Sequence, residues 1–164
     1  MHRATVLIVD DDENVCLGLR HTLRAPEYRV LLSDGPVSAL RQLQTEPVDV
    51  VVSDHLMPGV TGLEFLKMVR DRYPDTIRIM LTGHADTETA VKAINEGEIY
   101  RFLIKPCQPT ELKVTIYLAC ERLELERQNR RLLAVVRTNP ELMKRVEEEE
   151  ERHRLRRRGE AAGS

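Results

Sequence analysis

The sequence has few cysteines and almost no net charge, and each scarcity excludes a class of protein. Cys16, Cys107 and Cys120 are widely spaced and form no Cys-x-x-Cys pair, so neither a disulfide framework nor a zinc site is indicated. The 25 lysines and arginines nearly balance the 27 aspartates and glutamates, giving a net charge of -2. This balance gives no general attraction to nucleic acid or to anionic membranes.

A membrane span, a secretion signal and a phosphate loop are also missing. No apolar stretch approaches the roughly 20 residues that cross a bilayer, and the amino terminus runs directly into a strand pattern. We therefore expect a soluble, cytoplasmic protein with no membrane partner. The absence of a glycine-rich loop removes the signature of a Rossmann or P-loop protein, so no nucleotide cofactor is expected.

Short apolar, β-branched runs alternate with helical patterns over residues 1–123, which we predict to form one domain. Strands are predicted at 5–9, 29–32, 48–53, 77–81 and 100–104, and helices follow them from 13, 37, 63, 87 and, for the last helix, beyond Pro106. Alternation of this kind implies parallel βαβ units with right-handed crossovers. The fold class is therefore α/β, with a five-stranded doubly wound parallel sheet.

The last helix is predicted to be much longer than the others. A stripe of apolar residues suits packing on the sheet, and it comprises Leu112, Ile116, Ala119 and Leu123. Polar residues replace the stripe afterwards, so residues 124–137 are predicted to extend the helix past the domain. Leu118, Leu125 and Leu132 lie seven residues apart, as in a coiled coil, but the complementary positions are polar. Two interpretations of this extension remain open, a solvated helix and a helix through which the chain forms a homodimer.

A second helix is predicted after a break at the Thr138-Asn-Pro-Glu segment. Asn139 suits the cap and Pro140 the first helical position. We predict a charged helix over 138–158 and a disordered tail over 159–164. Arginines in this helix directly follow the acidic block 147–151, so direct nucleic-acid binding by this chain is not expected.

Reactive side chains follow four of the predicted strands. They are Asp10 and Asp11 after the first strand, Asp54 after the third, Thr82 after the fourth and Lys105 after the fifth. Parallel strands point their carboxyl ends to one edge of the sheet, so these groups should converge there. Three carboxylates at one edge would repel one another, and a hard cation with oxygen ligands, Mg²⁺, would relieve the repulsion.

Asp54 taken alone has two equal interpretations, a residue that caps the turn or a reactive group on a rigid strand. The other convergent groups favour the second. A carboxylate can attack a phosphoryl group to form an acyl phosphate, and a metal, an ammonium and a hydroxyl stabilise the charge on the transferring oxygens.

The sequence resembles the receiver domains of bacterial two-component response regulators, the CheY-like, flavodoxin-like fold, over residues 4–123. The resemblance depends on four ordered motifs: Leu-Ile-Val-Asp10-Asp11-Asp12, Ser-Asp54-His-Leu-Met-Pro58-Gly-Val-Thr-Gly62, Met-Leu-Thr82-Gly-His-Ala and Phe102-Leu-Ile-Lys105-Pro106. It implies a signalling phosphoacceptor and not a classical enzyme. A histidine kinase or phosphotransfer protein would be the phosphodonor.

The resemblance also assigns roles at the site. Asp54 would accept the phosphoryl group, and Lys105 would pair with one of its oxygens. Asp10 and Asp11 would hold Mg²⁺ together with Asp54 and the backbone carbonyl of Leu56. The Lys105-Pro106 peptide is expected to be cis.

Thr82 and Phe102 would form the conformational switch of such a domain, with Thr82 moving to the phosphoryl group and Phe102 turning inward. Leu56 and His84 stand where side chains tune hydrolysis of the phosphoaspartate in this family. An apolar Leu56 cannot orient water, which favours slow loss of the phosphoryl group, although a contribution from His84 would offset this. Asp12 is predicted to cap a helix, and His55 to be a loop residue.

One rival class is the haloacid-dehalogenase-type phosphatases, which also use an Asp nucleophile with Mg²⁺. Asn14 stands where that class expects Thr, and the chain lacks room for its cap domain. Within the receiver interpretation, two outputs are open. The chain is either a single-domain regulator of a downstream protein or the front part of a longer regulator whose output domain follows.

Overall fold

The computed structural model describes residues 3–83 and 86–162, with side chains up to residue 156. The strands are β1 (Ala4–Val9), β2 (Tyr28–Ser33), β3 (Val50–Asp54), β4 (Ile77–Thr82) and β5 (Arg101–Ile104). The helices are α1 (Glu13–Thr22), α2 (Pro36–Thr45), α3 (Gly62–Arg72), α4 (Thr87–Asn95), α5 (Pro109–Thr138) and α6 (Pro140–Ala162). The predicted alternation of strands and helices is confirmed.

The strands form one parallel sheet in the order β2-β1-β3-β4-β5. The predicted five-stranded doubly wound α/β sheet is therefore confirmed. β3 starts at Val50, two residues later than expected. Just before it, the backbone N–H of Asp49 donates to the Thr5 carbonyl at 2.9 Å, and the Asp49 carboxylate accepts from the backbone N–H of Thr5 at 2.7 Å. The apolar run thus predicted the strand correctly, and the two differ only in the first two residues.

An apolar layer covers each face of the sheet. One layer joins α1 and α5 to alternate strand residues such as Val6, Ile8 and Val52. The other joins α2, α3 and α4 to the intervening residues, among them Leu7, Val51 and Met80. Since successive side chains of a strand point to opposite faces, a strand covered on both faces favours apolar residues at successive positions, as the three valines of β3 show.

The predicted packing stripe of α5 is confirmed, because Leu112, Ile116, Ala119 and Leu123 are all buried. The chain divides into two compact units, Met1–Leu123 and Glu124–Ser164. The described residues contain no helix that is long and apolar enough to span a membrane.

The start of α6 is as predicted, with the side-chain oxygen of Asn139 accepting from the backbone N–H groups of Glu141 and Leu142 at 3.1 and 3.3 Å. Its end is not. The helix continues to Ala162, four residues beyond the predicted end at 158, and residues 163–164 lie outside the described part. A glycine such as Gly159 lowers the stability of a helix by about 1 kcal/mol relative to alanine. Adding alanines to an existing helix needs no new nucleation and therefore requires little free energy.

Candidate functional site

Asp10 and Asp54 lie side by side at the carboxyl edge of the sheet. β1 and β3 are neighbours with Val9 opposite Ser53, which places the next residue of each strand together. Both carboxylates are buried, with exposed fractions of 2% for Asp10 and 6% for Asp54. Two buried carboxylates at one point require positive charge nearby to remain ionised.

Asp11 completes a cluster of three carboxylates. One oxygen from each of Asp10, Asp11 and Asp54 can be chosen so that all three lie within 4.8 Å of one another. Asp11 is exposed, so the cluster opens to solvent on its side. Three hard oxygen ligands that face an open side form the donor set that Mg²⁺ prefers, with water completing its coordination.

Lys105 provides the positive charge that the chain itself contributes. Its Nζ donates to Asp10 Oδ2 at 2.8 Å and to Asp54 Oδ1 at 2.7 Å. Burial alone would lower the pKa of Lys105, but these hydrogen bonds and the two negative charges outweigh burial and raise it. The ammonium is therefore firmly charged and shared between two acids.

The backbone of Lys105 is positioned by the neighbouring strand. Its N–H donates to the carbonyl of Thr82 at 2.8 Å, and the Lys105-Pro106 peptide is cis, as the resemblance implies. The side chain thereby starts at the end of β5 and reaches across the sheet edge to the ends of β1 and β3.

Asp12 contributes through its backbone, a role that sequence reasoning missed. Its side chain accepts from the N–H of Asn14 at 2.9 Å, which confirms the predicted helix cap. Its own N–H donates to Asp10 Oδ1 at 2.9 Å. One oxygen of Asp10 is thus bound by the turn and the other by Lys105, so the carboxylate is fixed in orientation.

The loop after β3 approaches the backbone of Asp54 closely at Gly62. A Cβ at this position would lie 1.8 Å from the Asp54 carbonyl oxygen. The loop is closed by a hydrogen bond from the Gly62 N–H to the His55 carbonyl at 2.8 Å. The sequence contained one signal of this close approach. Gly62 is the first residue of a helix capped by Thr61 and Glu64, where a residue with a higher helix propensity would otherwise be favoured.

His55 lies in a bend just after β3, as predicted, but it is buried. The backbone N–H of His55 donates to the carbonyl of Leu81 at 2.9 Å, which continues the pairing of β3 with β4. Leu56, the next residue, has a side chain that is 65% exposed. His84, predicted to tune hydrolysis, lies outside the described residues.

Thr82 and Phe102 lie on neighbouring strands near the carboxylates. Thr82 ends β4 and is buried, and its hydroxyl donates to the carbonyl of Gly83 at 3.2 Å. Phe102 is opposite Met80, two residues before Thr82, and packs half-buried at the edge of the apolar layer that contains Met80. By strand alternation Met80 and Thr82 point to the same face, which is also the face of Phe102.

Comparison with known proteins identifies the class that this fold and site define. A family model, the response regulator receiver domain, matches residues 6–117, which is more than half of the chain. Over 142 residues the chain is 39% identical to the hydrogenase transcriptional regulatory protein HoxA of Cupriavidus necator, covering 87% of this chain and 29% of that protein. It is 33% identical over 145 residues to an NtrX-like response regulator of Rickettsia conorii, covering 87% of this chain and 30% of that protein.

Solved structures give the same class. The signal receiver domain of an HD domain-containing protein from Pseudomonas fluorescens Pf-5 has a TM-score of 0.70 at 36% identity, over 75% of this chain and 98% of that one. NtrX from Brucella abortus has a TM-score of 0.74 at 28% identity, over 80% of this chain and 30% of that one.

The chain belongs to the response regulator receiver domain family. This confirms the resemblance found in the sequence and decides against the phosphatase alternative. The chain spans 29% and 30% of the two curated relatives described above. It is therefore a signalling domain whose match covers only part of longer regulators.

Proposed function

We propose that this chain accepts a phosphoryl group from a histidine of a sensor kinase or phosphotransfer protein, and that Asp54 is the acceptor. The observation that supports this most strongly is the placement of Lys105 Nζ between Asp54 and Asp10 at 2.7 and 2.8 Å. In this arrangement the Asp54 carboxylate, the proposed nucleophile, lies at the end of a rigid strand. The Lys105 ammonium is already beside the position that a phosphoryl oxygen would take.

The proposed reaction transfers the group without an external base. An oxygen of the Asp54 carboxylate attacks phosphorus, and an O–P bond forms while the N–P bond to the donor histidine breaks. The bonding electron pair goes to the imidazole nitrogen, and the product is an acyl phosphate. Lys105 moves its ammonium from the Asp54 oxygen to a phosphoryl oxygen, and Asp10, held by the Asp12 N–H, stays in place.

Magnesium is the proposed cofactor, and the residues present fit it. Asp10, Asp11 and Asp54 offer three carboxylate oxygens in one cluster, and the backbone carbonyl of Leu56 would supply a fourth oxygen. When bound, Mg²⁺ supplies positive charge that offsets the carboxylates and the phosphoryl oxygens. Lys105 alone neutralises only one of the three negative charges.

Thr82 and Phe102 are the proposed switch. After transfer, the Thr82 hydroxyl leaves the Gly83 carbonyl and donates to a phosphoryl oxygen. Phe102, which packs on the same face, then turns inward toward the space that Thr82 vacates. The half-buried position of Phe102 supports this proposal, because a fully buried ring would have no alternative position.

The output is proposed to pass through the last helix of the receiver. α5 continues from Pro109 to Thr138, and HoxA is a transcriptional regulatory protein that is much longer than this chain. We infer that the chain acts in the cytoplasm on an output domain or downstream protein, without contacting nucleic acid itself. Its exposed leucines 118, 125 and 132 fit a homodimer.

The test is phosphorylation of the purified chain with acetyl phosphate and Mg²⁺, followed by intact-mass analysis. Wild type should gain one phosphoryl group, and Asp54→Asn should gain none. Asp34→Asn is the matched control, since Asp34 follows β2 at the same edge of the sheet and should leave the reaction unchanged. Equal labelling of the Asp54→Asn variant would refute the assignment, and labelling that persists in EDTA would refute the role of Mg²⁺.

A further inference from the structure

A cavity of about 490 Å³ lies at the opposite edge of the sheet from Asp54. It is formed by the residue before β1, the end of α1 and the first residues of β2, and its lining includes Arg3, Arg20 and Tyr28. Sites for small molecules have volumes of roughly 300–1,000 Å³. The cavity is therefore large enough for a ligand of nucleotide size.

The polar part of the lining is cationic. Arg3, Arg20, His21 and Arg24 contribute three guanidinium groups and an imidazole, and no carboxylate is among the described lining residues. Nε of Arg3 donates to the Tyr28 carbonyl at 2.8 Å, which fixes the guanidinium and leaves its outer nitrogens available. Arg20, His21 and Arg24 are exposed, and among the side chains described over 3–83 and 86–156 they have no hydrogen-bond or ion-pair partner.

Stabilisation of the α1 carboxyl terminus does not account for this charge. Arg20 and His21 are in the last turn of α1, where cations interact favourably with the helix dipole. That dipole amounts to about half a negative charge, whereas three guanidinium groups carry about three positive charges. Arg3 and Arg24, moreover, lie outside the helix. Most of the positive charge is therefore not offset by the helix, and because these side chains are exposed, an anionic ligand can reach them.

The remaining lining is apolar and aromatic, and the binding of an inorganic anion would not require such side chains. Leu17, Leu23, Ala25, Tyr28 and Val30 form this part. Guanidinium groups bind phosphate in a bidentate manner, and an aromatic ring stacks on a planar base. We propose that the cavity binds a soluble organic phosphate of nucleotide size, with the arginines on its phosphates and Tyr28 against its planar group. This site is independent of phosphorylation at Asp54.

The test is titration of the ¹⁵N-labelled full chain with ATP or with pyrophosphate, followed by NMR. EDTA is present so that no cation can bring phosphate to the carboxylate cluster. ATP should shift the amide signals of Arg24 and Tyr28 with a Kd below about 1 mM, and pyrophosphate should bind at least about tenfold more weakly. Equal binding of the two probes would overturn the assignment of the apolar lining to a planar group.

Paired variants distinguish a site from general attraction to charge. Arg20→Gln with Arg24→Gln should weaken ATP binding by about tenfold or more. Arg41→Gln with Arg72→Gln removes the same charge from exposed positions on α2 and α3 and should leave binding within about twofold, since it touches no lining residue. Thermal melting of both double variants verifies their fold.

Three results would overturn the proposal. They are equal losses in the two double variants, ATP-induced shifts confined to the Asp54 edge, and absence of ATP binding alongside binding to vesicles that contain phosphatidylinositol phosphates. The last result would assign the arginines to a lipid headgroup instead of a soluble ligand.

Discussion

Gly62 shows how tightly the residues around Asp54 are packed. Its missing side chain allows the start of α3 to approach the Asp54 carbonyl, which a Cβ would meet at 1.8 Å. The neighbouring atoms are backbone atoms of Asp54 and His55, which cannot move without displacing the proposed acceptor. Sterics at this residue therefore help to determine the position of the Asp54 carboxylate.

Gly62→Ala is expected to lower the free energy of unfolding by more than about 2 kcal/mol, because the added methyl forces the backbone apart. The matched control is Gly18→Ala in α1, where a Cβ would meet nothing within 4 Å. That control should be neutral or stabilising by up to about 1 kcal/mol. Urea unfolding measures both, and a Gly62→Ala variant as stable as Gly18→Ala would contradict the close approach.

Cys107 illustrates the effect of burial on a titrating group. Burial, and then the charge of Glu111, raise the pKa of its thiol to about 11 from an ordinary value of 9.0. The thiol should therefore react slowly with iodoacetamide at pH 8 to 9, and its rate should rise toward pH 11. Peptide mass mapping separates it from the other cysteines, and a rate profile centred on pH 9 would be inconsistent with this environment.

The same shift makes a stability prediction with a definite sign. The thiol has a pKa of 9.0 in the unfolded chain and about 11 in the folded protein. Its contribution to the free energy of unfolding is therefore fully present below pH 9 and is lost as the pH rises from 9 to 11. Cys107→Ser should reduce that decrease in urea unfolding measured across the window.

At the scale of elements, a buried acid ties helices to the sheet. Glu98, in the turn between α4 and β5, lies 2.6 Å from Arg70 and 3.7 Å from Lys67, both on α3. The contact with Arg70 is short but not aligned as a hydrogen bond. The Glu98 carbonyl also accepts from Arg78 Nε at 2.8 Å on β4. The turn that leads into β5 is thereby fixed to two other elements.

Glu98→Gln should lower the free energy of unfolding by about 1–2 kcal/mol, because it removes the charge while keeping the shape. Arg70 is partly exposed and can turn to water, which limits the loss. Glu96→Gln is the control, since Glu96 forms an exposed pair with Lys92 and should change stability by less than about 0.5 kcal/mol. Equal effects in urea unfolding would argue against a structural role for Glu98.

At the scale of the whole molecule, the unit Met1–Leu123 contains the complete candidate site and both apolar layers. The unit Glu124–Ser164 contains helical residues with few apolar side chains, and Leu125 and Leu132 are 63% and 66% exposed. We therefore expect the proposed phosphoryl acceptance and any self-association to depend on different parts of the chain.

Deleting residues 124–164 should leave the rate of phosphorylation by acetyl phosphate unchanged and abolish any dimer that the full chain forms. Within the full chain, Leu125→Glu with Leu132→Glu should also abolish the dimer, because charges replace apolar seam positions. Leu133→Glu is the control, being 50% exposed and off the seam. Analytical ultracentrifugation measures the outcome, and a dimer that survives the deletion would place the interface on the receiver unit.

Much of this protein was determined by local sequence. Apolar β-branched runs separated by helical patterns predicted the five strands, since a strand covered on both faces favours apolar residues at successive positions. Parallel strands end at one edge, so Asp10, Asp11 and Asp54 could be predicted to meet before any distance was measured. The cap at Asp12 and the break at Asn139 follow equally from neighbouring residues.

Only the tertiary structure decided the contacts between distant residues. Lys105 bonds to Asp10 and Asp54, which lie 95 and 51 positions earlier in the chain, and the sequence gives no measure of such distances. The clash at Gly62, the ion pairs of Glu98 and the cavity at Arg20 likewise join separate elements. Packing of helices on the sheet sets these contacts, and periodicity along one segment contains no information about its neighbour.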